Sequence, residues 1–443
     1  MEKKKMETKL IAVCGLDCTT CDVRRAPTDA QAAGRVVAWF REMGWLAEDE
    51  GMAQVVQRSM YCQGCRGDRQ VHWSPDCPIL RCCVDERGLT FCYQCDEFPC
   101  RRLDERAGQS ERYAQALDRL QRMEQARDGF VQWLLDAPAP SIRYLTLRHL
   151  LECPETDAEV QAERREVHTS GPVPTILAGQ TEAGNWAGEH SYYTPKYVST
   201  HWSMLLLTEL AADGGDPRLR RGAEFMLAAT RAELGKALDE GKRGLSCFWG
   251  NLLRYVLHCG YAADPRMEAV VRYLVRDAGE GGWRCPYNDD LPCAWGAARA
   301  LWALAALPAR SGSSIGKADV EAAIQSGLTF LVEKHHLVEA DYPISGRTHP
   351  LWFRLNFPLF YQTDVLFVLR VLAELDALDH PGARPALEWL VSRRQANGHW
   401  RGASPFRRRT WEGVADGREE TDRWASLHAA LVLRRARWPV PGL

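Results

Sequence analysis

The sequence predicts a mainly α-helical protein, a small cysteine-rich head followed by a ring of about six helical hairpins. Three observations predict it. Eleven of the 16 Cys fall within the first 100 residues, at 14, 18, 21, 62, 65, 77, 82, 83, 92, 95 and 100. Thirteen of the 16 Trp lie from Trp133 onward. Between them, a segment of helical periodicity recurs after residue 129, at intervals of 48 to 59 residues. Length alone, 443 residues, would suggest three domains at roughly 150 each. The repeats join the later part into one, so the expected division is a head at 1–102, a connecting helix at 103–128 and a helical body at 129–443.

Composition sets the outer limits. Hydrophobic residues make up 46% and charged residues 26%, the range of an ordinary globular chain. Lys+Arg is 56 against Asp+Glu 58, a net charge of −2. That balance excludes a strongly basic nucleic-acid binder and an acidic tail. Residues 1–10 are charged and lack a signal-peptide core. The longest apolar stretch, Ala300–Ala309, is about half a membrane span. The expectation is a cytoplasmic protein, in which thiols stay reduced and clustered cysteines bind metal.

The head is read from its spacings. Cys14-Gly-Leu-Asp-Cys18-Thr-Thr-Cys21 is followed by Cys62-Gln-Gly-Cys65, Cys77-Pro-Ile-Leu-Arg-Cys82 and Cys92-Tyr-Gln-Cys95, and Cys100 closes the set. A Cys-x-x-Cys turn presents two sulfurs to one ion, and four sulfurs complete a tetrahedral zinc site. Three such turns and one wider pair suffice for two zinc ions. Cys14, Cys83 and Cys100 are left over or substitute. The spacing of Cys14, Cys18 and Cys21 also suits an Fe–S cluster, the alternative cofactor. Between the knuckles, Thr28–Met43 reads as a helix with Ala32, Val36, Trp39, Phe40 and Met43 on one face. The head carries 15 Lys+Arg against 15 Asp+Glu through Arg102. No basic surplus is left to grip phosphates, so nucleic acid is not an expected partner.

The opening Cys14–Cys21 motif and the closing Cys92-x-x-Cys95-x-x-Phe98-Pro99-Cys100 run resemble a family of cysteine-rich bacterial and archaeal domains of unknown function. The resemblance covers about 90 residues. It implies a zinc-binding domain and no known activity.

In the connector, Tyr113, Leu117, Leu120 and Met123 recur at helical spacing and predict one amphipathic helix that docks head on body. The body repeats begin with Asp216-Pro-Arg, Asp264-Pro-Arg, Asp319-Val-Glu and His380-Pro-Gly, and align Phe225, Tyr273, Phe330 and Trp389, with Ile176 in a fainter first copy. Gly-x-Trp turns follow at Gly184–Trp186, Gly281–Trp283 and Gly398–Trp400. A second, more apolar helix then opens with an aromatic. The expected ranges are Trp202–Ala212, Trp249–Tyr261, Trp295–Leu307, Tyr361–Leu375 and Trp424–Arg435, and 130–135 with 141–151 makes a further pair. One hairpin cannot bury its apolar face alone, so the repeats must stack or close. Inner helices apolar on nearly all sides, such as Ala297–Leu307, favour closure.

The Gln180–Trp186 and Gln395–Trp400 turns, with alternating outer and inner helices, resemble the (α/α)6 toroid of squalene–hopene cyclases and protein prenyltransferase β subunits. The resemblance covers about 300 residues. The acidic motif of the cyclases is absent. Asp290, Cys293 and His428 match the prenyltransferase zinc ligands only loosely. Equivalent repeat positions nonetheless converge on one rim, where Cys247, Cys293 and Asp422, with His201, form a candidate metal site. Aromatic and charged residues leading into the inner helices are expected to line a cavity. The candidates are Tyr193, Lys196, His201, Trp202, Cys247, Trp249, Cys293, Trp295, Tyr361, Asp364, Asp422 and Trp424. The expected partner is an apolar, isoprenoid-like small molecule or lipid. The alternatives are a prenyltransferase- or cyclase-type enzyme acting at the rim, and an Fe–S redox protein.

Overall fold

Several helix starts are legible one residue at a time. Asp216 and Asp264 each accept the backbone N–H two residues on, from Arg218 (2.8 Å) and Arg266 (2.9 Å). Each is followed by a Pro whose fixed φ suits the first helical position. The repeated Asp-Pro-Arg is therefore an N-cap, and it opens helices Pro217–Asp239 and Pro265–Ala278. In the third copy the cap is Gly316, and Asp319 falls in the first turn of Lys317–Leu328.

The computed structural model describes residues 10–74, 76–188, 191–279, 282–308, 316–334, 337 and 348–440. Residues 1–9, Glu189, His190, Gly281 and Ala309, all used in the sequence reading, lie outside the described residues. Helix makes up 57% of the structure, and the strands among the described residues are four two-residue pieces. The fold is mainly α.

The chain divides into two compact units, Met1–Phe130 with Arg437–Leu443, and Val131–Ala436. In the first unit, Asp29 caps helix Ala30–Glu42 by accepting from Gln31 and Ala32 N–H, both 2.9 Å. Ala32, Val36 and Phe40 are buried as expected, but Trp39 and Met43 are not: they stay 38% and 50% exposed. Both sit at the edge of the apolar stripe, and periodicity does not say how far the neighbouring surface reaches. The expected connecting segment 103–128 is not one helix. It falls in Arg101–Ala107 and Glu111–Leu135. Leu103, Leu120 and Met123 pack into the head's own core with Ile11, Val13, Leu80, Phe91 and Tyr93.

The second unit contains the expected helix pairs with shifted boundaries. The inner helices are Pro140–Leu145 continuing through Thr146–Leu150, then Thr200–Glu209, Ser246–His258, Ala294–Leu304, Val365–Glu374 and Arg418–Arg435. From Ser246–His258 onward, each packs on the one before it, and Arg418–Arg435 also packs on Pro140–Leu145 and Thr146–Leu150. Tyr361 precedes its helix instead of opening it. Asp364 sets the start by accepting the Phe367 N–H at 2.7 Å. The tightest pair is Ser246–His258 with Ala294–Leu304, where any Cβ on Gly250 would stand 2.6 Å from the Arg299 carbonyl oxygen. Outside these, Pro265–Ala278 packs against both Pro217–Asp239 and Lys317–Leu328.

Two of the three Gly-x-Trp turns are structural joints, while the Trp283 indole N–H finds no acceptor among the described residues. Trp186 donates its indole N–H to Ile176 O (2.6 Å), and Trp400 donates to Leu390 O (2.7 Å), each ten residues back. Their backbone N–H groups are received by equivalent hydroxyls, Thr200 (3.0 Å) and Ser426 (2.9 Å). Trp352 fills the same place in the copy that lacks the motif: its indole N–H donates to Leu337 O at 2.5 Å. No Gly-x-Trp signal marks it in the sequence.

Candidate functional site

The first candidate site is the thiol cluster of the head. Backbone bonds draw its segments together: Cys18 N–H donates to Leu10 O (2.8 Å), Cys62 N–H to Val23 O (3.3 Å) and Cys92 N–H to Val13 O (3.0 Å). The knuckle geometry shows at Cys62, whose sulfur accepts the Gly64 N–H at 3.2 Å. Burial pushes the Cys18 thiol up to about 12, and the charges of Cys65, Cys21, Cys14 and Cys62 add to that. Burial likewise takes Cys14 to about 11, with Cys65 and Cys77 adding. Cys14, Cys18, Cys21, Cys62, Cys65 and Cys77 are thus mutual electrostatic neighbours. Among the described residues, no three His, Cys, Asp or Glu side chains are grouped closely enough to hold a metal ion as they stand.

The later cysteines are arranged differently. Cys92 pairs with the buried Cys83, which lowers Cys83 and raises Cys92, with Cys14 and Cys100 nearby. Cys95 accepts from Arg87 Nη1 at 3.2 Å, and Cys82 touches the same guanidinium. The sequence reading missed Arg66. Its guanidinium donates to Ile11 O (2.9 Å) and Thr90 O (2.5 Å), lies 4.6 Å from the Phe91 ring, and has Cys65, Cys83 and Cys18 around it. A cation beside thiols offsets the negative charge they carry when ionised. Its only sequence mark is its position directly after Cys65.

The second candidate site lies in the helical unit. Three segments meet there. Tyr193 packs on Trp202 (4.7 Å), Tyr361 on Trp202 (5.9 Å) and on Trp295 (6.0 Å). The exposed Lys196 places Nζ 5.2 Å from the Tyr193 ring and 4.8 Å from the Tyr361 ring. Tyr193, Tyr361 and Cys247 are half-buried, so this collar reaches the surface. Beneath it, the fully buried His201 stacks on Phe248 at 4.5 Å. Burial lowers His201 to about 3 and raises Cys247 to about 12, so a neutral imidazole and a protonated thiol are present near neutral pH.

Seven of the twelve expected cavity residues therefore gather: Tyr193, Lys196, His201, Trp202, Cys247, Trp295 and Tyr361. Cys293 adjoins Cys247, and the other four serve elsewhere. Trp249 packs on Tyr273 at 5.5 Å. Trp424 stacks on Phe357 at 3.9 Å. Asp364, raised to about 6 by burial, accepts from both Asn356 and Phe367 N–H. The expected rim trio is corrected. Cys247 and Cys293 are neighbours and Cys285, which the sequence reading passed over, joins them, but Asp422 Oδ1 is taken by Gly402 N–H at 2.8 Å. Cys285 sits in a two-residue strand paired with Leu291–Pro292, too short to show as a strand in sequence.

A model of one family, described as a protein of unknown function (DUF3795), matches residues 10–105. That is the head and fewer than half of the residues. No curated protein matches the chain. No solved structure matches it. No helix among the described residues is long and apolar enough to cross a membrane.

Proposed function

We propose that the protein is a zinc-stabilised binding protein whose helical unit is a closed (α/α) ring holding an apolar, isoprenoid-like ligand under an aromatic collar. The observation that carries the reading is the convergence of Tyr193, Trp202, Trp295 and Tyr361, from well-separated segments, over the buried His201. Aromatic walls of this kind suit an apolar chain. Closure is supported by the last inner helix packing on the first.

The head's donors fit zinc: they are soft thiols, electrostatically coupled, with an amide turned toward Cys62. Cys18, Cys21, Cys62 and Cys65 would hold one ion. Bound there with four thiolates, zinc supplies folding energy and leaves no open position for substrate. The ring of a prenyltransferase- or cyclase-type enzyme would need acids free to act. Asp364 and Asp422 are instead spent on backbone N–H groups, which favours binding over turnover.

Native mass spectrometry of the purified full chain tests both halves. The expected spectrum shows one or two zinc ions and a co-purified hydrophobic small molecule. A metal-free, ligand-free mass would overturn the reading, and a brown iron-containing protein would replace zinc with an Fe–S cluster.

A further inference from the structure

The collar covers a polar floor. Arg299, on inner helix Ala294–Leu304, is fully buried. Its Nη2 donates to Gln362 O at 2.8 Å and its guanidinium lies over the Phe367 ring at 3.9 Å. Its Nε and Nη1 have no hydrogen-bond acceptor among the described residues. Beside it, His201 Nδ1 lies 3.2 Å from the Tyr255 hydroxyl. Among the described residues Nδ1 is the only hydrogen-bond partner of that buried phenol, so the tautomer that satisfies both groups has Tyr255 donating and the ring proton on Nε2. His201 Nε2 is then a third buried donor without an acceptor. Arg299 is near enough to lower His201 further, and both Arg299 and Tyr193 lie within electrostatic range of the half-buried Cys247. Gln362, next to Tyr361, joins the two: its backbone O accepts from Arg299 and its Nε2 donates to the Tyr197 hydroxyl at 3.3 Å, whose ring lies 5.4 Å from Trp202, so the floor and the collar are one site.

A buried guanidinium with uncommitted N–H groups is costly unless an acceptor arrives. The nearby cation Arg370 is committed to Glu209 at 3.0 Å, and His201 is neutral. Two carboxylates act on Arg299 through space, Glu209 and Asp364, but Glu209 is bonded to Arg370 and Asp364 accepts from Asn356 and Phe367 N–H, so neither hydrogen-bonds the guanidinium. The one guanidinium with open N–H groups matches a single negative charge and falls short of what a diphosphate needs. We propose that Arg299 and His201 bind the carboxylate of a monoanionic apolar chain, such as a fatty acid, with its tail under the Tyr193–Trp202–Tyr361 collar. The inference rests on the apolar-ligand reading above and names the ligand's polar end.

The test is calorimetric titration of the full chain with dodecanoate and with dodecan-1-ol, which share the tail and differ in the head. Dodecanoate is expected to bind about tenfold to hundredfold more tightly, the range of one charge-assisted contact. Arg299→Met is expected to remove that difference. Equal binding of both compounds by the wild-type protein overturns the carboxylate site and leaves the apolar-ligand reading intact. Binding of neither compound overturns both. Because the wild-type comparison needs no variant, it decides the matter even if Arg299→Met fails to fold.

Discussion

The two units use the same residue in opposite ways. Trp186, Trp202, Trp249, Trp283, Trp302, Trp352, Trp400 and Trp424 are the largest fully buried side chains, and all lie in the helical unit. In the head, Trp39, Trp45 and Trp73 are 38%, 41% and 43% exposed, resting on one another and on Phe40. The helical unit can bury its indoles because repeats supply partners on every side. The head has two small apolar clusters, with cysteines packed along their edges. A core that small needs a second source of stability. The difference fits the proposal that one unit is held by packing and the other by metal on its thiols.

The comparison can be broken at its strongest point. Cys18→Ser removes a thiol at the centre of the cluster. If metal binding is folding energy for the head, worth on the order of 10 kcal/mol for a structural zinc, the variant should lose zinc and the head should become protease-sensitive. Unchanged zinc content would contradict it. The next largest effect falls in the other unit. Trp186→Ala and Trp400→Ala each delete a buried indole and its hydrogen bond, at a cost of about 3–5 kcal/mol. Thermal unfolding should show it without loss of metal.

Acid sharpens the contrast further. His201 is lowered to about 3 and His428 is also well below the ordinary value of 6.5, both by burial. Their stabilisation is present above 6.5 and is lost as pH falls below it, by up to about 1.4 kcal/mol per pH unit for each. Asp364, raised to about 6 from 3.8, acts in the opposite sense: its contribution is greatest below 3.8 and is lost as pH rises through 6. His201→Gln should therefore flatten the stability profile between pH 6.5 and 4. A profile parallel to wild type would remove His201 from the account. The smallest effect is expected at the head's exposed indoles, where Trp73→Ser should cost about 1 kcal/mol or less. A cost equal to that of Trp186→Ala would erase the distinction between the two sets of tryptophans.

Much of this was legible in the chain. Asp216 and Asp264 announced helix starts because Asp-Pro fixes a cap by local geometry. Trp186 and Trp400 announced joints because the repeat period singled them out. Arg299 was not legible: one Arg in an otherwise apolar helix looks like a surface residue until the helix proves buried on all sides. Trp352 carries the same joint without the glycine that marks the others. Cys285 was hidden because its neighbour Cys293 lies across a turn that spacing alone does not close. Trp39 and Met43 were assigned to the buried face because a stripe's period locates its centre better than its edges.

The central claim is that metal holds the head and packing holds the helical unit. Hydrogen exchange of the full chain, measured with and without a zinc chelator, tests it most directly. The account predicts that protection collapses across residues 10–105 while the inner helices, Thr200–Glu209 through Arg418–Arg435, keep theirs. Protection lost from both units together, or from neither, would contradict it.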